Sequence, residues 1–338
     1  MLNPQVIVAI PTLASDTAFL DSIRSIERQT RGEVEIVVVD NSGEGRVRRQ
    51  LTEPGGVRVI ENASNVGFGE AVNQAWRSSA APLLATINDD AVAAPGWIEA
   101  LVDAMDRHPE AGMCASRVVL AGDSEVLDSA GMVIGADGTS KQRGQDKPAK
   151  DFEVEEEVLF PSASAAMYRR RMLDEVGWFD SSFFLYCEDT DLGLRARWAG
   201  WKCYYVPAAT VTHRYSHSAG KASALKAYLV ERNRLAVVAR NFPVVLLLAS
   251  PFYTLARYLW HLAALVRGRG RAGEYRREGN SSALLFWFVL RAHFATAARL
   301  AQLWRARRSI RRGARISARE FLGLVRSHYI SAREVASL

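Results

Sequence analysis

Cysteine is scarce: Cys114, Cys187 and Cys203 are the three in 338 residues, and no two form a CxxC pair. That argues against a disulfide framework or a zinc site and fits a reducing compartment. The first strand candidate, residues 6–10, stops at Pro11-Thr12 without a GxGxxG turn, which disfavours a dinucleotide-dependent dehydrogenase. Residues 1–10 have no basic n-region and too short an apolar part for a signal peptide, so a cytoplasmic location is expected. Clean apolar spans are lacking too. The two most apolar long stretches are residues 242–266 and 282–304. They reach the roughly 20 residues a spanning helix needs. The first, however, contains Pro243, Pro251, Arg257 and His261, and the second Arg291, His293 and Arg299. An arginine near the centre of a span costs at least about 2.5 kcal/mol.

Charge is unevenly spread. Residues 221–338 hold 22 Lys and Arg against 5 Asp and Glu, a net of +17, whereas residues 1–220 hold 21 against 32, a net of −11. The basic half calls for an anionic partner. Arg267, Arg269 and Arg271 follow the first apolar stretch, and Arg305, Arg307, Arg308, Arg311, Arg312 and Arg315 the second. Amphipathic helices lying in the headgroup region of an anionic membrane fit this pattern. A soluble helical subdomain or a homo-oligomer interface is the competing expectation. The apolar content disfavours nucleic acid as the partner.

What is present is organised around residues 83–92, LLATINDDAV, an apolar run ending in Asn88, Asp89 and Asp90. Five apolar or β-branched residues make a buried strand. Adjacent carboxylates repel unless a cation or water stabilises them. A hard cation that also holds a diphosphate needs only one or two protein carboxylates. A solvated turn explains the pair equally simply. Upstream, residues 6–10, 34–39 and 57–60 read as strands and residues 16–28 as a helix. A helix through Ala71, Val72, Ala75 and Trp76 and another over residues 95–107 complete an alternation that predicts a mostly parallel, doubly wound α/β sheet. Residues 135–157 turn polar and are expected to form a long mobile surface loop, with an active-site lid as one role. Residues 165–175 read as a helix. In residues 177–201, five aromatics precede Glu188, Asp189 and Asp191, and Leu192, Leu194 and Trp198 give a helix its apolar face. Acids at a helix N-terminus also serve its dipole, and aromatics before them also serve a core. Residues 202–206 form a short strand, and His213 follows a further apolar pair.

Seven segments in this order, AIPTL, VVVDNSG, NVGFGEAVNQA, NDDAVAAPGW, GWFDSSFFLYCEDTDLGLR, AGW and VTHRYSHSAG, resemble family 2 glycosyltransferases of the GT-A fold. The likeness is to rhamnosyltransferase-like members that build bacterial cell-surface glycans, and it runs from about residue 6 to 218. It implies a GT-A catalytic domain over residues 1–220 and a basic, amphipathic, membrane-associating helical region over 221–338. It also implies an inverting transfer of a sugar, L-rhamnose above others, from a dTDP- or UDP-sugar to a polyprenyl-linked or growing glycan acceptor. Galactofuranosyl or hexosyl transfer by the same machinery, and a non-catalytic scaffold of glycan assembly, are the alternatives. Residue by residue, Pro11 and Thr12 with Asp40 correspond to groups that hold base and ribose. Asn65, Gly67 and Gly69 support the nucleotide, with Asp89 beside it. Asp90 corresponds to the acid that binds a divalent cation, Mg²⁺ or Mn²⁺, and His213 to a further ligand. Asp189 corresponds to the catalytic base, with Glu188 as its neighbour; Trp178, Phe179, Asp180 and Asp191 fall on the acceptor side. Three positions depart from the pattern: Asn88 replaces the motif's first acid, Ser164 a glycine, and Trp178 a second glycine. The implied location is peripheral, on the cytoplasmic face of the cell membrane.

Overall fold

Contact density divides the chain into two compact units that interleave along the sequence: Met1–Met132, Gln142–Phe184 and Trp201–Ser218 in the first, Val133–Lys141, Leu185–Gly200 and Ala219–Leu338 in the second. The structure is a computed structural model and describes residues 4–29, 34–51, 56–214, 224–266 and 282–337. Residues 215–220 of the last motif, with Arg267, Arg269 and Arg271, lie outside the described residues.

In the first unit the apolar runs become strands β1 (Val6–Thr12), β2 (Val34–Asp40), β3 (Val57–Glu61) and β4 (Leu83–Ile87), the last buried at every position. These four are parallel neighbours in the order β4-β1-β2-β3. Each is followed by a helix: α1 (Ala18–Glu27), the short α2 (Arg46–Gln50), α3 (Phe68–Arg77) and, after β4, α4 (Trp97–Arg107). The helical spacing of Phe19, Ile23 and Ile26, and of Ile98, Leu101, Val102 and Met105, puts those side chains in the core. The sheet continues through β5 (Ala91–Ala93), β6 (Ala111–Leu120), β7 (Asp123–Ser129), β10 (Glu156–Val158), β11 (Ala165–Arg169) and β12 (Lys202–His213). Its order is β10-β12-β6-β11-β4-β1-β2-β3, with β5 on β12 and β7 on β6. Between β7 and β10 the chain makes the small pair β8 (Met132–Ile134) and β9 (Ser140–Gln142). This is the α/β architecture the alternation implies.

Two local expectations are corrected. Residues 165–175 are not one helix: β11 runs antiparallel between β4 and β6, and only Arg170–Val176 is helical (α5). The slot between two buried strands overrides the helical preference of Ala-Ala-Met. Residues 135–157 are not a featureless loop either. They carry β9, a single 3₁₀ turn at Ala149–Asp151 and β10, and Ala136, Asp137 and Thr139 are buried.

The second unit is helical: α6 (Glu188–Trp198), α7 (Ala224–Asn241), α8 (Val244–Val266), α9 (Ser282–Ala297), α10 (Leu300–Arg312), α11 (Ala318–Ser327) and α12 (Ala332–Ser337). The second apolar stretch is therefore broken after Ala297. Trp198 ends α6 between Phe321, stacked at 4.2 Å, and the Arg311 guanidinium at 3.5 Å, and its Nε1 donates to the Asn241 carbonyl at 2.8 Å. Arg257, which argues against a span, is turned inward: it donates to Asp137 at 2.6 Å and to Glu231 at 2.8 Å. Arg234 pairs with the same two acids. With its only charge consumed inside, α8 presents outward Val245, Leu248, Phe252, Leu255, Leu259 and Leu262, Phe252 being 76% exposed. No helix among the described residues is long and apolar enough to cross a membrane.

Candidate active site

The carboxyl ends of β1, β2 and β4 lie side by side, where open α/β sheets bind ligands. At the end of β1 the Thr12 hydroxyl donates to Asp89 Oδ2 at 2.6 Å and accepts from the Ala14 amide at 2.8 Å, next to Pro11. Burial pushes the Asp89 carboxyl up to about 6; the Thr12 hydroxyl opposes this and the charge of Asp90 adds to it. Asp40, at the end of β2, is buried with both oxygens engaged by backbone: Oδ1 accepts from Ser42 N and Oδ2 from Val47 N, each at 2.8 Å. Its side chain shapes the turn after β2. Asn65 Oδ1 accepts from Gly67 N at 2.8 Å. Gly67 has φ +85°, and a Cβ there would lie 2.3 Å from the Phe184 carbonyl oxygen. The close approach it permits is therefore to the Phe184 backbone, whose oxygen also accepts from Phe68 N at 2.8 Å. Gly69 is buried inside the first turn of α3.

The turn after β4 is fixed from below by Ser22, whose hydroxyl reaches the Ala91 carbonyl at 2.6 Å and the Asp89 carbonyl at 3.0 Å. Pairing of β5 with β12 puts His213 opposite Ala91 and so beside Asp90. His213 Nε2 lies 3.1 Å from Asp90 Oδ1 and 3.3 Å from the Asn88 amide nitrogen; Nδ1 lies 2.8 Å from Asp128 Oδ2. All three of Asp90, His213 and Asp128 are buried. Burial by itself would lower the imidazole, but hydrogen bonds to Asp128 and Asp90 outweigh it and push it up to about 9. The pocket favours positive charge between the imidazole and Asp90.

No group of three or more His, Cys, Asp or Glu side chains that could hold a metal occurs among the described residues. The donor set fits a cation that takes the rest of its shell from a diphosphate and water, since such a cation needs one or two protein oxygens. Asp90 would supply one, and His213 Nε2, once a cation displaces its proton, a nitrogen. Asp128, with one oxygen on Nδ1 and the other without a hydrogen-bond partner, stands where an outer carboxylate orients a ligating imidazole. Sequence reading missed Asp128. It lies on an edge strand in a polar stretch, and only the β6–β7 and β6–β12 pairings bring it to His213.

Elsewhere in this unit, Trp178 is half-buried, flanked by the Arg77 and Arg170 guanidinium groups at 5.9 and 5.6 Å. Phe179 belongs to the core, stacked on Trp76 at 5.5 Å. Asp180 Oδ1 accepts from Ser182 N at 2.9 Å and so caps a short 3₁₀ turn.

In the second unit the three acids of the first turn of α6 have different surroundings. Glu188 is buried, and its Oε2 has no hydrogen-bond partner. Burial, then the charge of Asp189, pushes its carboxyl well above the usual range. Asp189 is partly exposed; Oδ1 accepts from Thr190 N at 2.6 Å, and the Thr190 hydroxyl lies 2.8 Å from Ser140 Oγ. Asp191 is fully buried: Arg195 Nε donates to it at 2.8 Å and Asn241 Nδ2 at 2.9 Å, with Arg240 at 3.3 Å. Asp191 fastens α6 to α7 and presents no oxygen to an acceptor.

The sequence model of the family described as "Glycosyl transferase family 2" matches residues 7–177, half of the chain. The chain belongs to that family. This glycosyltransferase is 30% identical over 223 residues to the N-acetylglucosaminyl-diphospho-decaprenol L-rhamnosyltransferase of Mycobacterium tuberculosis, an alignment covering 59% of this chain and 72% of that one. Among solved structures it resembles the mannosyltransferase PcManGT from Pyrobaculum calidifontis in complex with GDP-Man and Mn²⁺, with a TM-score of 0.53, 16% identity and coverage of 89% and 88% of the two chains. It also resembles GalNAc-T7 with UDP, GalNAc and Mn²⁺, with a TM-score of 0.56, 15% identity and 70% of this chain covered. That alignment spans 48% of the GalNAc-T7 chain, about half its length.

Proposed function

We propose that this glycosyltransferase moves L-rhamnose from a dTDP- or UDP-sugar to a lipid-linked or growing cell-surface glycan, with inversion, in a single displacement. The observation that carries the reading is the Asp90–His213–Asp128 array at the carboxyl edge of the sheet; the activity named for the mycobacterial relative supports the sugar and the class of acceptor. In the reaction a bond forms between the acceptor oxygen and the anomeric carbon. The bond from that carbon to the β-phosphate oxygen breaks, and nucleoside diphosphate leaves. Thr12 and Asp89 line the donor side, and the loops shaped by Asp40 and Asn65 set the backbone there. Asp90 and His213 would hold Mg²⁺ or Mn²⁺, which neutralises charge on the leaving diphosphate. Asp189 takes the acceptor's hydroxyl proton as base; Glu188, buried and protonated, neighbours it without adding a second negative charge. Trp178 remains the aromatic candidate on the acceptor side.

A lipid-linked acceptor places the work at a membrane. The outward face of α8 and the exposed Arg305, Arg308 and Arg312 of α10 suit a peripheral position on the cytoplasmic face, against anionic lipid. The deciding experiment incubates the full chain with Mg²⁺, a panel of dTDP- and UDP-sugars and a polyprenyl-diphosphate-sugar acceptor, scoring acceptor-dependent nucleotide release. Release from dTDP-rhamnose above the others is expected. Preference for a hexosyl or galactofuranosyl donor would overturn the choice of sugar, and no release from any donor the enzymatic reading.

A further inference from the structure

Asn233, on α7, is 1% exposed and turned towards the stretch that leads into α6. Its Nδ2 donates to two consecutive carbonyl oxygens, Leu185 at 2.8 Å and Tyr186 at 2.7 Å. Both hydrogens of one amide nitrogen are thus used on neighbouring peptide units. The other end of the amide accepts from Arg232 Nε at 2.9 Å, which fixes which way the group points.

The carbonyls converge because the backbone there is unusual. Tyr186 has φ +71° and Cys187 φ +65°, two left-handed residues in succession and neither a glycine. L-residues with a β-carbon avoid that region, and they stay in it only where the surroundings hold them. The first turn of α6 starts at the next residue, closed by the Asp191 amide on the Cys187 carbonyl at 2.9 Å. The direction in which α6 sets off, and with it the position of Asp189, is decided at residues 185–187.

We infer that Asn233 is a positioning residue for sugar transfer, clamping the left-handed turn from which Asp189 projects. This rests on Asp189 being the base. Asparagine suits the task because one short side chain offers two hydrogens on a single atom. Alanine leaves the Leu185 and Tyr186 carbonyls without these donors, and aspartate places an acceptor against them.

The test uses the full chain. Asn233→Ala should lower kcat on the order of 100-fold, the effect of displacing a reacting group by about 1 Å. The donor KM, and direct binding of nucleoside diphosphate with Mn²⁺, should stay within about twofold, because Thr12, Asp90 and His213 belong to the other unit. Phe321→Leu is the control, since Phe321 stacks on Trp198 at the far end of α6. A merely structural role would cost both variants the same kcat at the same drop in Tm. If the alanine variant is insoluble, Asn233→Ser, which keeps one donor, is held to the same criteria. Unchanged kcat in the Asn233 variant, or equal kcat loss in the control at matched Tm, overturns the inference. Asp189→Asn in the same assay separates the two claims. If it is inactive while the Asn233 variant is normal, only the clamp falls; if it transfers normally, the base assignment falls and takes the clamp with it.

Discussion

Asp128 holds the Nδ1 side of His213 at 2.8 Å, so that Nε2 is left facing Asp90. A buried imidazole with one nitrogen fixed by a carboxylate has its ring plane set before any ligand arrives. Asp128→Ala should therefore weaken Mn²⁺-dependent nucleotide binding by roughly 10- to 100-fold, read by titration with Mn²⁺ and nucleoside diphosphate. Affinity without cation should change little. An unchanged Mn²⁺ requirement and affinity would show that His213 does not face the metal.

Part of this was legible in the chain. The Val- and Ile-rich runs and the acids that end them mark strands and a ligand edge without any structure, because a buried parallel strand needs unbroken apolar sequence and its end does not. Asp128 was not legible: it sits 85 residues from His213, on a strand whose residues are mostly polar. Residues 135–157 looked loose for the same reason, since Asp137 is held by Arg257, 120 residues away. Asp189 and Asp191 share one helical turn and look alike locally; Arg195 and Asn241 tell them apart, burying one and leaving the other partly exposed. Strand β11 was hidden by side chains that suit either structure, and its neighbours on both sides decided.

Glu188 gives a pH prediction. Burial and the neighbouring Asp189 raise its folded-state pKa to about 8, from 4.5 for a free glutamate. The folded state then binds more protons than the unfolded one between those limits, so this residue's contribution falls as pH rises through that window. Glu188→Gln removes the effect. The variant should match the parent near about pH 5 and exceed it near about pH 9 by on the order of a few kcal/mol. Thermal midpoints of both proteins across that range are the measurement; parallel curves would mean Glu188 is charged in the fold at neutral pH.

The outward face of α8 is a membrane contact in the proposed function. Leu248, Phe252 and Leu259 sit on it with more than half of each side chain exposed, and Arg257, the helix's one charge, points inward. The full chain should co-sediment with phosphatidylglycerol-rich vesicles, and added salt should release part of it, because arginine attraction is screened while apolar insertion is not. Changing those three residues to Glu should reduce the bound fraction by roughly tenfold or more. Full-length protein left in the supernatant at low salt would end the membrane assignment.

The assignment that separates chemistry from binding is Asp189. Of the three acids on its turn, Glu188 is buried and driven towards its neutral form, and Asp191 is enclosed by Arg195, Arg240 and Asn241. Asp189 is the acid left partly exposed, its Oδ1 steadied by the Thr190 amide at 2.6 Å. A base acts on the acceptor's proton and not on the donor's phosphates. Asp189→Asn keeps the size and can still accept the Thr190 hydrogen bond, but it cannot take up a proton at neutral pH. It should cut transfer by roughly two to four orders of magnitude with donor affinity near its original value. Asp191→Asn should behave differently: with a buried ion pair weakened, stability falls first and activity follows it. Comparing kcat at matched folded fraction distinguishes them. If Asp189→Asn transfers sugar at the parent rate while Asp191→Asn, still folded, does not, then the proton leaves through Asp191, and α6 must open from α7 during turnover to expose it.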